Sequence, residues 1–261
     1  LDHVGPMART MADCSALLAA LAEGEPEPSA VMPPPAPMGE LALSARPGPG
    51  PLEGVTIALS DRPRGMEVED EVASAFDAAR RACEDLGARV VELPSPWTFD
   101  WDDLSVVLFA DVWEYHSKLT DRHELYRPAL AEFVEVARNF TDAQAYIGAQ
   151  RRRAEGTAAW EHWFAANGVD FVLEPTLPIT PYGRGPGYDR GHAGGPGDPM
   201  IALTALWDMT GMPVATVPVQ WNVAVALIAP RGLEAPLVQA AIDLQEHKLP
   251  IPAAPGTAGP A

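Results

Sequence analysis

The sequence predicts an α/β protein built on a mixed β-sheet flanked by helices, and three stretches carry that prediction. Residues 55–93 read as strand, helix and strand, a unit that normally gives two parallel strands joined by a right-handed crossover. Residues 169–174 form another short apolar run, which ends at a proline. Two further strands, residues 213–219 and 223–228, follow one another with only three residues between them and predict a short hairpin.

The chain is expected to open with a helix and then a long linker. Thr10 and Asp13 have the spacing of a capping box, and apolar residues recur at helical intervals through residues 11–22. Residues 23–53 are rich in proline and glycine, which sustain neither a helix nor a central strand. We interpret them as an extended surface linker, with a polyproline ligand for a partner domain as the alternative.

The remaining elements follow from periodicity and from helix breakers. A helix is predicted between the first two strands and ends at Gly87. Three more are predicted over residues 105–119, 127–138 and 141–166, and Asn167-Gly168 ends the last of them. Residues 183–199 contain seven glycines and predict a mobile surface loop. Further helices are expected over residues 200–209 and 235–246, before a disordered tail at 250–261.

Composition excludes several classes of function. Thirty-six acidic residues against 18 basic ones give a net charge of −18, which repels nucleic acids and anionic membranes. No apolar run reaches the roughly 18 residues that a membrane-spanning helix requires. Cys14 and Cys83 fall in helical patterns and are expected to be buried thiols of a cytoplasmic protein. The sequence indicates neither a cofactor nor a metal site.

Three motifs occur in a distinctive order along the chain. Residues 1–13 read Leu-Asp-His-Val-Gly-Pro-Met-Ala-Arg-Thr-Met-Ala-Asp, residues 169–178 read Val-Asp-Phe-Val-Leu-Glu-Pro-Thr-Leu-Pro, and residues 210–218 read Thr-Gly-Met-Pro-Val-Ala-Thr-Val-Pro. In order and spacing they resemble the amidase signature family of serine amidases, which includes the glutaminyl-tRNA amidotransferase A subunit. The resemblance covers residues 1–246 and implies a partial amidase signature fold.

The resemblance also implies a catalytic apparatus that this sequence does not contain. The family uses a serine nucleophile, a second serine and a lysine, with the backbone amides of a Gly/Ser-rich loop as the oxyanion hole. Here the only lysines are Lys118 and Lys248, and no serine follows Ser117. Ser117 and Lys118 are adjacent, so on a helix they point about 100° apart. We therefore expect no catalytic residue in this chain.

The opening segment carries a related expectation. In the family this segment lies downstream of the catalytic residues, so residues 1–22 are expected to continue from a missing N-terminal half, joined in cis or supplied in trans. Residues 54–247 would then be the C-terminal part of the amidase domain. Its expected roles are to complete the sheet and to supply one wall of the pocket for a small-molecule amide. A bare half-sheet would also expose an apolar edge and seek a partner, and a homodimer is one possibility.

By analogy with the family, the turn after Glu174 and the helix before Gly211 lie nearest the substrate. Thr176, Trp207 and Asp208 are the candidate substrate-binding residues. Trp207 offers a flat apolar wall and Asp208 a hydrogen-bond acceptor, which would suit an aromatic or amine-bearing substrate. Core packing is the alternative for Trp207, and a helix-end interaction is the alternative for Asp208. The family usually has Asn at this last position and a longer segment between the final two strands.

Other candidates are weighed against structural roles. Asp2 and Arg9 would form an ion pair that locks the entry to the first helix, and His3 lies between them. Four potential metal ligands in one stretch raise the alternative of a metal-dependent hydrolase, but their spacing matches no established ligand motif. They are Glu114, His116, Asp121 and His123. The stronger alternative to an amidase part is a catalytically inactive amidase-like remnant that serves as an interaction or scaffold module.

Overall fold

The computed structural model of this chain describes residues 3, 5–22, 50–181 and 198–250. Several predicted features fall outside the described residues. They are Asp2, the linker up to residue 49, the loop up to residue 197 and the tail after residue 250. The described end of that linker is a turn, in which the Leu52 N–H donates to the Leu86 carbonyl at 3.0 Å. Leu52 is buried there, so this part of the linker belongs to the core.

The described strands form one mixed sheet, as predicted, with the order β2-β1-β3-β5-β4. β1 pairs in parallel with both β2 and β3, whereas β5 runs antiparallel to β3 and to β4. The last two strands form the predicted short hairpin, and Asn222 in its turn has a positive φ of 63°. The strand bounds are β1 Thr56–Ser60, β2 Arg89–Leu93, β3 Phe171–Pro175, β4 Val214–Gln220 and β5 Val223–Ile228.

Helices cover both faces of this sheet. Among the helices in the described ranges, none is both long enough and apolar enough to cross a membrane. Short 3-10 segments at Arg62–Gly65 and Ser117–Leu125 accompany them. The helix bounds are α1 Met11–Ala22, α2 Asp70–Asp85, α3 Trp101–His116, α4 Pro128–Ala137, α5 Ala143–Asn167, α6 Ala205–Thr210 and α7 Glu234–His247.

Two predicted helices have the wrong bounds. α3 begins four residues early, at Trp101, because the Asp100 carboxylate caps it by accepting the Asp102 N–H at 2.9 Å. The helix predicted over residues 200–209 is wrong in its first half, which forms turns, and α6 begins only at Ala205. The Arg62 guanidinium donates a hydrogen bond to the Leu203 carbonyl at 3.0 Å. In a regular helix that oxygen would accept a backbone N–H of the same helix.

Alternate residues of each central strand build the two halves of the core. Ile57 in β1 and Leu173 in β3 face α2 and α7, in a cluster that also holds Cys83 and Leu244. Ala58 and Val172 face the opposite side, where aromatic residues of α5 and α6 pack: Trp160, Trp163, Phe164 and Trp207. β1 and β3 are buried along their whole length, so the end of each strand opens directly into a region enclosed by helices.

Two glycines of α5 provide a matched pair for testing this packing. A Cβ on Gly156 would lie 2.6 Å from atoms of the Trp97 ring, which is rigid and partly buried. A Cβ on Gly148 would meet only the Arg152 guanidinium, at 3.4 Å. We expect Gly156→Ala to destabilise the fold by about 1–3 kcal/mol through overpacking. Gly148→Ala should stabilise it by about 0.5–1 kcal/mol, because alanine favours the helix.

Urea denaturation of both variants measures the difference. Gly156→Ala in a Trp97→Leu background is the control, since the smaller side chain leaves room for the methyl group. Equal effects of the two glycine substitutions in the native background would contradict the packing described for Trp97.

The two cysteines differ in their environment. Cys83 is fully buried between α2 and the sheet, and burial is the largest cause that raises its pKa to about 12. The prediction of burial is wrong for Cys14, which is only partly buried. Since the thiolate is the reactive form, we expect one thiol to react with a disulfide reagent at pH 8 in the native protein and two in denaturant. Cys14→Ser should abolish the native reaction; if a fast thiol persisted, the burial of Cys83 would be wrong.

Candidate functional site

The carboxyl ends of β1 and β3 bring two polar side chains together in the middle of the sheet. Leu59 pairs with Leu173 in the parallel register, so the next residues, Ser60 and Glu174, are neighbours. Both are buried. Side-chain alternation places Glu174 on the same face as Val172, which is the face covered by α5 and α6.

Glu174 is completely buried and accepts hydrogen bonds from three different segments. Its Oε1 accepts the Ser60 hydroxyl, while its Oε2 accepts Arg62 Nη1 at 2.8 Å and the Trp207 indole N–H at 3.1 Å. A buried carboxylate without partners would be strongly unfavourable. These bonds therefore make Glu174 the centre of a network that joins β1, β3 and α6.

Arg62 carries the compensating positive charge. It lies in the 3-10 segment directly after β1, and its side chain is 11% exposed. Its guanidinium also donates to the carbonyls of Leu203 and Ala202, at 3.0 and 3.4 Å, and lies 5.1 Å from the centre of the Trp207 ring. Burial lowers the pKa of Arg62, and the carboxylate of Glu174 opposes that shift. The guanidinium thus holds the segment that leads into α6 against the strand ends.

A cavity of about 360 Å³ adjoins this network. Its floor is formed by the ends of β3 and β4, and its sides come from α1, α6 and α7. Most of the lining is apolar, as in a typical small-molecule site. Thr176, Trp207 and Asp208, the three residues predicted to bind substrate, all line it.

The three residues differ in what they present. Trp207 is 4% exposed and packs edge-on against Trp160 at 4.9 Å, so most of its surface belongs to the core. The buried hydroxyl oxygen of Thr176 has no hydrogen-bond partner within the described part of the chain. Asp208 is 47% exposed, and its Oδ1 lies 3.1 Å from His3 Nδ1. The structure brings these residues together, and their role in binding substrate stays a prediction.

α5 fixes the position of α6. Arg153 is buried in α5 and donates from Nε to the Met209 carbonyl at 2.6 Å and from Nη2 to the Asp208 carbonyl at 3.3 Å. The Thr157 hydroxyl, which has one proton to donate, lies 3.1 Å from the Thr210 carbonyl and 3.0 Å from the Arg153 carbonyl. The carbonyls of Asp208, Met209 and Thr210 end α6 and have no partner within the helix, so α5 supplies the donors that a helix C-terminus needs.

Sequence reasoning missed Ser60, Arg62 and Glu174. A signal existed for Glu174, because a carboxylate in an otherwise apolar strand must find a partner when the strand is buried. Nothing in the sequence identified Arg62 as that partner, since 112 residues separate the two. Of the missed residues, Glu174 bonds Trp207 and also lines the cavity, whereas Ser60 and Arg62 bond Glu174.

The family model described as Amidase matches residues 1–238. The chain belongs to the amidase family. Among curated relatives, the glutamyl-tRNA(Gln) amidotransferase A subunit of Paramagnetospirillum magneticum is 26% identical over 248 residues, covering 84% of this chain and 47% of the relative. An amidase of Pseudomonas putida is 28% identical over 181 residues, covering 69% of this chain and 37% of that amidase. The chain thus spans less than half the length of either relative.

A solved structure of similar fold is that of 6-aminohexanoate cyclic dimer hydrolase. It aligns with a TM-score of 0.69 at 22% identity, covering 93% of this chain and 54% of that one. At this identity the likeness supports the fold alone. The mixed sheet with helices on both faces is therefore an amidase-type α/β fold, as the sequence predicted.

The remaining candidate residues lie apart from the cavity or outside the described residues. Ser117 donates to the Glu114 carbonyl at 3.1 Å, and exposed Lys118 pairs with the Glu114 carboxylate. His116 Nδ1 lies 2.7 Å from the Tyr126 hydroxyl, and among the described residues no group of three or more metal-ligating side chains is arranged to hold an ion. Arg9 is exposed, and its predicted pairing with Asp2 stays a prediction.

Proposed function

We propose that this chain is the C-terminal part of an amidase that hydrolyses a carboxylic amide C–N bond, with the Ser-Ser-Lys triad on residues outside it. The observation that carries the proposal is the largely apolar cavity at the end of β3, lined by Thr176, Trp207 and Asp208. A pocket of this kind at the end of sheet strands suits the acyl portion of a small amide. Its occupant would meet a largely apolar wall together with threonine and carboxylate side chains.

The chemistry explains why the triad must lie elsewhere. An amide nitrogen is a poor leaving group, so hydrolysis needs a nucleophile, a proton relay and donors for the tetrahedral oxyanion. The two lysines are engaged far from the cavity, where Lys118 pairs with Glu114 and Lys248 with Asp85 at 3.0 Å. The buried hydroxyl of Ser60 donates to Glu174, a carboxylate already paired with Arg62. None of these groups is placed beside a base that could activate it as a nucleophile.

The sheet supports a role in completing a larger structure. β4 is an edge strand among the described strands, and its residue Val214 is 43% exposed. An apolar edge with free backbone groups is suited to pairing with a further strand. Val214 and Thr216 of this edge also line the cavity. A partner that extends the sheet at β4 would therefore lie beside the pocket, where a nucleophile is required.

Peptide mapping of the native polypeptide in its source tests the proposal. We expect a species heavier than the 27.8 kDa of this chain, or a tightly bound second chain, with peptides that carry a lysine and a Gly/Ser-rich loop. That species should release ammonia from simple amides. A 27.8 kDa polypeptide with neither feature would instead support the inactive remnant or scaffold module.

The purified chain alone provides the complementary assay. It is expected to release no ammonia from hexanamide or benzamide at millimolar concentration. Turnover by the chain alone that Ser117→Ala abolishes would overturn the assignment of the triad to other residues.

A further inference from the structure

The charges that line the cavity are almost all of one sign. Three acidic residues contribute to the wall, namely Glu174, Asp208 and Glu234, and His3 is the remaining titratable side chain. Neither lysine nor arginine is present among the described lining residues. Glu174 is fully buried, whereas solvent partly screens the charges of Asp208 and Glu234, which are partly exposed. The cavity is therefore a poor environment for an anion.

Only two of the three carboxylates are available to a ligand. Glu174 is completely buried, and its charge is compensated by Arg62 at 2.8 Å. Asp208 makes its contact with His3 through Oδ1, and nearly half of its side chain stays exposed. Glu234 is partly exposed in the first turn of α7, where one carboxylate oxygen lies 3.4 Å from the Gly232 N–H. Asp208 and Glu234 thus offer negative charge from two separate helices that border the same cavity.

A third feature indicates a polar ligand group as well. The buried Thr176 hydroxyl oxygen lacks a partner among the described residues, although buried hydroxyls are normally bonded. Thr176 lines the cavity together with Asp208. Its oxygen is covered in this structure, so the side chain must rotate before the hydroxyl donates to a ligand carbonyl or accepts from an amide N–H. Hydroxyl, apolar lining and carboxylates together match a ligand with an amide group, an apolar chain and a cationic end.

We propose that the cavity selects amides whose acyl chain carries an ammonium group, with Asp208 as the principal counter-charge and Glu234 as the second. The selectivity rests on the proposed function, because it names the substrate class of the same pocket. Thr176 bonds the amide end, and the apolar residues Leu203, Met212 and Val238 contact the chain. Acyl chains that end in a carboxylate are excluded by charge.

A series of three ligands tests this selectivity with the purified chain. Pentanamide, 5-aminopentanamide and 5-amino-5-oxopentanoate share the amide and the chain and differ in the end group, which is neutral, cationic or anionic. We expect dissociation constants from calorimetry or ligand-observed NMR to place the cationic ligand about three- to tenfold tighter than the neutral one, with the anion weakest. This preference should decrease as salt rises from 20 to about 500 mM.

Two charge-removing variants locate the effect. Asp208→Asn keeps the shape of the side chain and should remove most of the preference for the cationic ligand while pentanamide binding stays within about twofold. Glu246→Gln removes the same unit charge from an exposed position of α7 that does not line the cavity, so its preference should match that of the unmodified chain.

The outcomes separate the two proposals. Equal binding of the neutral and cationic ligands, both weakened by Thr176→Val, would overturn the cation selectivity and leave the amide pocket in place. Loss of the preference in Glu246→Gln as well would assign it to net charge and would also overturn it. Binding of no ligand in the series would count against the pocket itself, and hence against both proposals.

Discussion

Replacing Glu174 by alanine is expected to lower the free energy of unfolding by about 3–5 kcal/mol, as for one partner removed from a buried ion pair. The substitution leaves the Arg62 guanidinium without its counter-charge in a site where the Arg62 side chain is 11% exposed. It also removes the acceptor of the Ser60 hydroxyl and of the Trp207 indole N–H. Urea denaturation followed by far-UV circular dichroism measures the loss.

A more exposed pair of the same residue types is the matched control. Arg231 and Glu161 lie 2.6 Å apart, and their side chains are 28% and 39% exposed. Glu161→Ala should cost less than about 1 kcal/mol, because solvent screens this pair and solvates the remaining charge. A double-mutant cycle with Arg62→Met should then give a coupling energy of about 2 kcal/mol or more for the buried pair. Similar costs for Glu174→Ala and Glu161→Ala would contradict the buried network around Glu174.

Replacing Arg153 by methionine is expected to have the second largest effect, about 2–3 kcal/mol of lost stability. The side chain is 7% exposed, and the carbonyls that it bonds belong to the last turn of α6. Burial lowers the pKa of Arg153, and the negative charges of Asp111 and Asp208 oppose that shift. Methionine keeps much of the volume but leaves the Met209 carbonyl buried without its donor.

A neighbour on the same helix controls for the substitution itself. Arg151 is exposed, so Arg151→Met should change stability by no more than about 0.5 kcal/mol. Arg153→Lys should recover part of the loss, since the ammonium keeps the charge but lacks the planar fork with which the guanidinium reaches two carbonyls. Because α6 carries Trp207 and Asp208, Arg153→Met should also weaken ligand binding in the cavity. Unchanged stability of Arg153→Met would mean that α5 does not hold α6.

Helix ends show where local sequence sufficed and where it did not. The Thr10 hydroxyl accepts the Asp13 N–H at 3.0 Å and Gly168 ends α5 with a φ of 59°, so both boundaries follow from residues adjacent in the chain. The start of α6 was predicted wrongly, because Arg62 takes the Leu203 carbonyl from 141 residues away. The apolar periodicity of residues 200–209 cannot predict a hydrogen-bond donor that lies so far away in the sequence.

In the candidate site, too, some features could be predicted from the sequence and others depend on the tertiary structure. Analogy with the family indicated Thr176, Trp207 and Asp208, and the structure places all three around one cavity. The ion pair of Glu174 with Arg62, the contact of His3 with Asp208 and the contribution of Glu234 were not foreseen. Each of these joins residues from separate elements, so it depends on how the helices dock on the sheet.

The sequence by itself determined the elements of this protein, the mixed sheet and the membership in the amidase family. Apolar periodicity, caps and breakers act within a few residues, and family motifs are short and local, so both can be read along the chain. Only the tertiary structure decided which charges are paired and which remain available in the cavity. A charge is stabilised by whatever lies within a few ångströms of it in space, and here those partners are 33 to 205 residues distant in the chain.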